Sequence, residues 1–233
     1  MSEPCNPNDV FNLLLAAFGP RRWWPAEGPE EMIIGALLTQ NTSWKNVERA
    51  LDNLRRRQRL SLAAIAAAPL SELQEDLRPS GYFRRKSTRL KNLAAAVLAA
   101  GGLELLEQKT TPALREWFLN LTGIGPETAD SILLYAFTRP LFVIDAYTLR
   151  ICKRHDWLPE TADYREAQDF FSRRLPADPA LFNEFHALLV EVGKHFCRPR
   201  QPRCRECPLH KLSDHAGQRE EDERRIELKK HCH

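Results

Sequence analysis

The chain has 233 residues, 43% of them hydrophobic, enough to bury a core and to divide into two small lobes. It has no apolar run of about eighteen residues to cross a bilayer, and the opening MSEPCNPND lacks the basic-then-apolar order of a secretory signal. A cytoplasmic protein without a membrane partner is therefore the default expectation, and a formal charge of +3 is too small by itself to name a nucleic-acid partner.

Taken in chain order, the predicted elements are all helices. Asp9 is expected to cap FNLLLAAF, which Gly19 and Pro20 end, and PEEMIIGALLTQ from Pro29 to Gln40 reads as a second, largely apolar and buried helix. Ser43 is expected to cap WKNVERALDNLRRR, where Val47, Ala50, Leu51 and Leu54 share one face at helical spacing. Ser61 and Ser71 start two short helices, Gly81 marks a turn, and a long helix then runs through RRKSTRLKNLAAAVLAA to Gly101 and Gly102. Thr111 and Pro112 start ALREWFLN, and further helices are expected over Pro126 to Phe137, Ala146 to His155, Ala162 to Arg174 and Pro179 to His195. LFVI, before Asp145, is the only apolar run with strand character and is too isolated to build a sheet. The fold class is all-α. Positive charge gathers at Arg55 to Arg57 and at Arg84, Arg85, Lys86, Arg89 and Lys91, a pattern that a solvated helix face also explains.

The segment LTGIGPETAD carries the first chemical signal. Gly123 and Gly125 allow a tight turn with exposed amides, and the helix starting near Pro126 aims its positive end the same way, which suits a phosphate. The bland reading is a glycine turn between packed helices. Twenty residues after Gly125, Asp145 in VIDAYTLR is either a helix N-cap or a carboxylate with work to do.

Five segments in order, LLTQNTSW, PSGYFRRKSTRL, LTGIGPETAD, VIDAYTLR and CRPRQPRCRECPL, resemble the helix-hairpin-helix base-excision DNA glycosylases related to endonuclease III, over roughly residues 23–212. The resemblance implies two helical lobes. A six-helix barrel with the hairpin is expected over 25–133, a second lobe with a cysteine loop over 1–24 and 134–215, and a charged tail over 216–233. In that family DNA lies across the cleft between the lobes. The partner implied is double-stranded DNA with damaged bases, met by a monomer.

The resemblance also implies roles. Asp145 matches the catalytic aspartate, a fixed anion for the positive charge that grows on the sugar as the base leaves. Glu127 stands where bifunctional members carry a lysine nucleophile, so the expectation is a monofunctional enzyme without strand cleavage. WWP, QNTSW and the glutamate in GIGPET look most like the alkylpurine branch, the 3-methyladenine glycosylases. A cationic purine is held there between aromatic faces, with Trp24 and Trp44 as the candidates and Trp23 beside them. Core packing is the alternative for each tryptophan. Gln40 and Tyr82 match residues that fill the duplex when a base is flipped. The alternatives are an enzyme for mismatched or oxidised bases, or a helix-hairpin-helix module that binds DNA without catalysis.

Three of the six cysteines crowd into one stretch. Cys197, Cys204 and Cys207 resemble the family's 4Fe-4S spacing, but Ser213 occupies the fourth cysteine's place, with His210, His215, Cys232 or water as substitutes. Loss of the metal and a zinc site are the alternatives.

Overall fold

The computed structural model describes residues 5–21 and 26–212. Within them lie twelve α-helices: α1 (Pro7–Phe18), α2 (Pro29–Leu38), α3 (Trp44–Arg56), α4 (Leu62–Ala67), α5 (Leu70–Leu77), α6 (Phe83–Ala99), α7 (Leu103–Glu107), α8 (Thr111–Leu119), α9 (Pro126–Tyr135), α10 (Ala146–Arg154), α11 (Tyr164–Ser172) and α12 (Pro179–His195). Short 3-10 turns occupy Arg78–Ser80, Cys204–Glu206 and Pro208–Leu212, and no strand occurs among the described residues. LFVI forms no bridge, and Phe142, Val143 and Ile144 are simply buried as extended chain. No described helix is long and apolar enough to cross a membrane.

The helix starts follow their local chemistry with three departures: Ser43 stands at the start of α3 without a side-chain cap bond, Ser71 falls inside α5 because Pro69 opens that helix, and the cap of α1 shifts. Asn6, not Asp9, caps α1, because Pro7 fixes the first helical residue and Asn6 Oδ1 accepts from the Asn8 N–H at 3.0 Å. Asp9 falls in the first turn, where its charge still faces the positive helix end. Ser61, Thr110 and Asp163 each cap with a side-chain oxygen, Asp163 in a reciprocal box with Glu166.

The chain divides into two compact units, Trp24–Val143 and Met1–Trp23 together with Ile144–His233. In the first, α2 is buried nearly all round and packs against α3, α6 and α9. Its one buried acid, Glu31, takes a 2.9 Å ion pair from Arg55, and Glu30 accepts from the Leu62 amide at the start of α4. Lys91 on α6 donates to the Ala66 and Ala68 carbonyls that close α4. Arg115 on α8 grips the fully buried Asp130 on α9 with two bonds of 2.6 and 3.1 Å. Residues 134–143 belong to this unit, past the boundary expected near residue 133, because Phe137 and Leu141 complete its core.

The second unit is built on α12, whose Phe182, Phe185, Leu188, Leu189 and Val192 are buried. Phe185 meets Phe11 of α1 and Phe171 of α11 edge-on, with centroids at 5.5 and 5.6 Å. Helix α10 crosses α12 where Gly193 lies against the Tyr147 ring, so close that any β-carbon would strike it.

Candidate functional site

The link between α8 and α9 makes a tight turn in which the Ile124 amide donates to the Leu121 carbonyl at 3.1 Å. Ile124 is 6% exposed and anchors the turn in the core. The two glycines differ. Gly123 has φ +88°, and its α-carbon lies under the Arg89 side chain, so the fold itself requires glycine there. Gly125 has φ −97° and ψ 178°, open to any residue, and a β-carbon on it would meet nothing within 4 Å. The fold leaves an exposed bare backbone at the mouth of α9, where Gly125 has no side chain to cap the first amides. Glu127 is exposed in that first turn, and its carbonyl accepts from the Ser131 hydroxyl at 2.7 Å.

Gln40, just beyond α2, is drawn to this turn. Its amide nitrogen donates to the Gly123 carbonyl and the Thr128 hydroxyl, both at 3.0 Å, while its oxygen accepts from Arg89 at 3.0 Å. The carbonyl needs a donor and the guanidinium needs an acceptor, which fixes the amide's orientation. Tyr82 is 65% exposed and has φ 46°, a left-handed backbone that bulky residues rarely adopt. Gly81 before it and Asn41 after Gln40 also have positive φ, at 68° and 53°. Trp44 opens α3, half-buried against the core, and donates its indole N–H to Glu48 one turn on at 2.8 Å. Trp23 and Trp24 lie outside the described residues.

In the other unit Asp145 caps α10. Its Oδ1 accepts from the Thr148 amide at 2.7 Å, and its Oδ2 lies 3.6 Å from His186 Nε2 on α12. The aspartate side chain is 12% exposed and the histidine 7%. Burial pushes the Asp145 carboxyl up, but the His186 imidazole and the Thr148 bonds outweigh it and hold the group below its ordinary value. The result is a buried anion at a helix N-terminus. Nothing in FHALLVEVG ties His186 to an acid 41 residues earlier, so the sequence carries no local signal for this pairing.

Cys197 follows α12, with Cys204 and Cys207 on the next loop. Arg150 Nε donates to the Cys197 carbonyl at 2.8 Å, and Arg154 reaches the Arg198 and Pro199 carbonyls and the Cys197 sulfur, the last at 3.5 Å. Burial pushes the Cys207 thiol up to about 11. Among the described residues no three His, Cys, Asp or Glu side chains converge to hold a metal ion. As placed, Cys197, Cys204 and Cys207 therefore form neither a zinc site nor an iron-sulfur site by themselves. For a four-iron cluster the donor set is one thiolate short, and Ser213, His215 and Cys232 lie outside the described residues.

Helices α8 and α9 with their glycine turn form a helix-hairpin-helix motif. The model of the HhH-GPD superfamily base excision DNA repair protein matches residues 34–177, more than half of the chain. The chain belongs to that superfamily. It is 43% identical over 203 residues to a Methanocaldococcus jannaschii protein whose name assigns it provisionally to the DNA repair glycosylases, covering 86% of this chain and 92% of that one. Endonuclease III of Thermotoga maritima is 28% identical over 181 residues, covering 78% of this chain and 80% of that one. Among solved structures, the H. pylori 3-methyladenine DNA glycosylase bound to 1,N6-ethenoadenine superposes with a TM-score of 0.71 at 31% identity, covering 82% of this chain and 98% of that one.

Proposed function

We propose that the protein is a monofunctional DNA glycosylase that flips alkylated purines out of duplex DNA and hydrolyses the bond between base and sugar. The observation that carries this reading is Asp145, a carboxylate kept ionised although buried. As the base departs, positive charge develops on the sugar, and a fixed anion stabilises it while water attacks. The open backbone at Gly125 and the start of α9 suit a DNA phosphate. Gln40 and Tyr82 are the residues offered to the gap left by the flipped base. Tyr82 is already exposed, whereas Gln40 must first leave its bonds to the hairpin.

The alkylpurine choice is supported by Trp24 and Trp44, with Trp23 beside them, and by the 31% identity to the H. pylori enzyme. A stacked aromatic face prefers a cationic base by about 0.5–2 kcal/mol. Glu127 offers a carboxylate where a lyase needs an amine, so the abasic strand is left whole. A second reading, a glycosylase of mismatched or oxidised bases, is favoured by the likeness to endonuclease III of T. maritima. In either case an iron-sulfur cluster on Cys197, Cys204 and Cys207 would require the three thiols to draw together and a fourth donor, and would brace the loop without taking part in base release.

Release of methylated purines from methylated duplex DNA, native protein against Asp145→Asn, tests the reading. Loss of release in the variant supports it. Absence of release by the native protein moves the substrate to mismatched or oxidised bases.

A further inference from the structure

The GYFRRKSTRL segment contains a lysine that no part of the proposed chemistry uses. Lys86, in the first turn of α6, is 2% exposed, although it sits in a cationic run that a solvated face would explain. Its Nζ donates to the Leu38 carbonyl at 2.8 Å and to the Ser80 carbonyl at 2.7 Å. No ion pair to Lys86 is found among the described residues, and burial alone lowers its pKa, to about 8. A buried ammonium without a counter-ion is unfavourable, and an apolar side chain of similar length would pack there more easily.

What the ammonium holds explains its place. Leu38 ends α2 and Ser80 ends the 3-10 turn Arg78–Ser80, so both carbonyls are among those a helix end leaves without an internal partner. Each belongs to the residue two before a candidate inserting residue, Gln40 in one segment and Tyr82 in the other. Both segments then turn through left-handed backbone, at Asn41 and at Gly81 with Tyr82. Such conformations are strained in non-glycine residues and persist only where the surroundings over-determine them.

We infer that Lys86 is a positioning residue that fastens the Gln40 and Tyr82 segments to one point, so that the two side chains enter the duplex as a unit. The inference rests on the base-flipping reading given above. It assigns Lys86 no contact with DNA.

The test separates flipping from binding and from excision. A duplex carrying 2-aminopurine next to a tetrahydrofuran abasic analogue reports unstacking by fluorescence, and anisotropy of the same duplex reports affinity. Lys86→Met should lower the unstacking rate about tenfold with little change in affinity, since small misplacements of a working group cost up to about a hundredfold. Lys86→Arg, which keeps the donors, should recover part of the loss. Lys86→Met should cost clearly less in a Tyr82→Ala background than in the native protein, because only its hold on the Gln40 segment is then left to lose. Unstacking by Lys86→Met at the native rate, or effects that multiply in the double variant, would overturn the inference. Should Lys86→Met fail to fold by circular dichroism, Lys86→Gln, neutral and one bond too short to hold both carbonyls at once, is read by the same criteria. A native protein that gives no unstacking removes the flipping reading itself, and the inference with it.

Discussion

His186 Nε2 lies 3.6 Å from Asp145 Oδ2, and the two side chains are 7% and 12% exposed. A buried carboxylate would by itself rise in pKa, and this pairing is a principal reason that Asp145 stays below its ordinary value. Its contribution to stability is therefore present above the unfolded carboxylate pKa, about 3.9, and is lost as pH falls through the lower folded value.

His186→Ala should leave the carboxylate buried with less to offset that burial. The acid limb of the pH profile for base release should move to higher pH, while activity near pH 8 falls less than at pH 5. An unchanged acid limb would show that the imidazole does not tune Asp145.

Gly123→Ala and Gly125→Ala should separate fold from binding. At Gly123 the substitution meets both a positive φ and the Arg89 side chain, so a loss of about 1–3 kcal/mol in unfolding free energy is expected. At Gly125 thermal unfolding should hardly move, while duplex affinity measured by anisotropy should drop.

Arg115→Ala leaves Asp130 buried without its bidentate partner, which should cost about 3–5 kcal/mol in urea unfolding. Arg115→Met/Asp130→Leu, which removes both charges, should recover much of that loss.

The native enzyme acting on an abasic duplex should give no complex trapped by borohydride, because no amine attacks the sugar from the place of Glu127. A trapped band and strand cleavage without added alkali would identify a lyase instead.

Iron and acid-labile sulfide should accompany the purified protein, with absorbance near roughly 400 nm. Their absence together with a full circular dichroism spectrum would show that the cysteine loop holds without metal, and zinc in their place would overturn the misfit found among the described side chains.

Much of the fold was legible because helix starts and apolar spacing are local signals. The stripe Val47, Ala50, Leu51 and Leu54 is buried as its spacing requires. The start of α1 was less so, since Asn6, Asn8 and Asp9 are all able caps and the decision rests on Pro7. Site contacts left no such trace. Gln40 meets Gly123 across 83 residues, and Lys86 meets Leu38 across 48, each through a carbonyl that every residue type carries. Sequence showed two glycines in the hairpin but not that only Gly123 is demanded by the backbone, because that depends on where Arg89 lies.

The contact of Gly193 with Tyr147 has a mechanical meaning. Gly193 stands seven residues, two turns, after His186 on α12, and Tyr147 stands two residues after Asp145 at the start of α10. A glycine inside a helix weakens it by roughly 1 kcal/mol. Here it serves as the spacer of smallest thickness between the two rods, and the distance from imidazole to carboxylate is gauged at that crossing. A single methyl group added at Gly193 would strike the Tyr147 ring, widen the gauge and loosen the pair it sets.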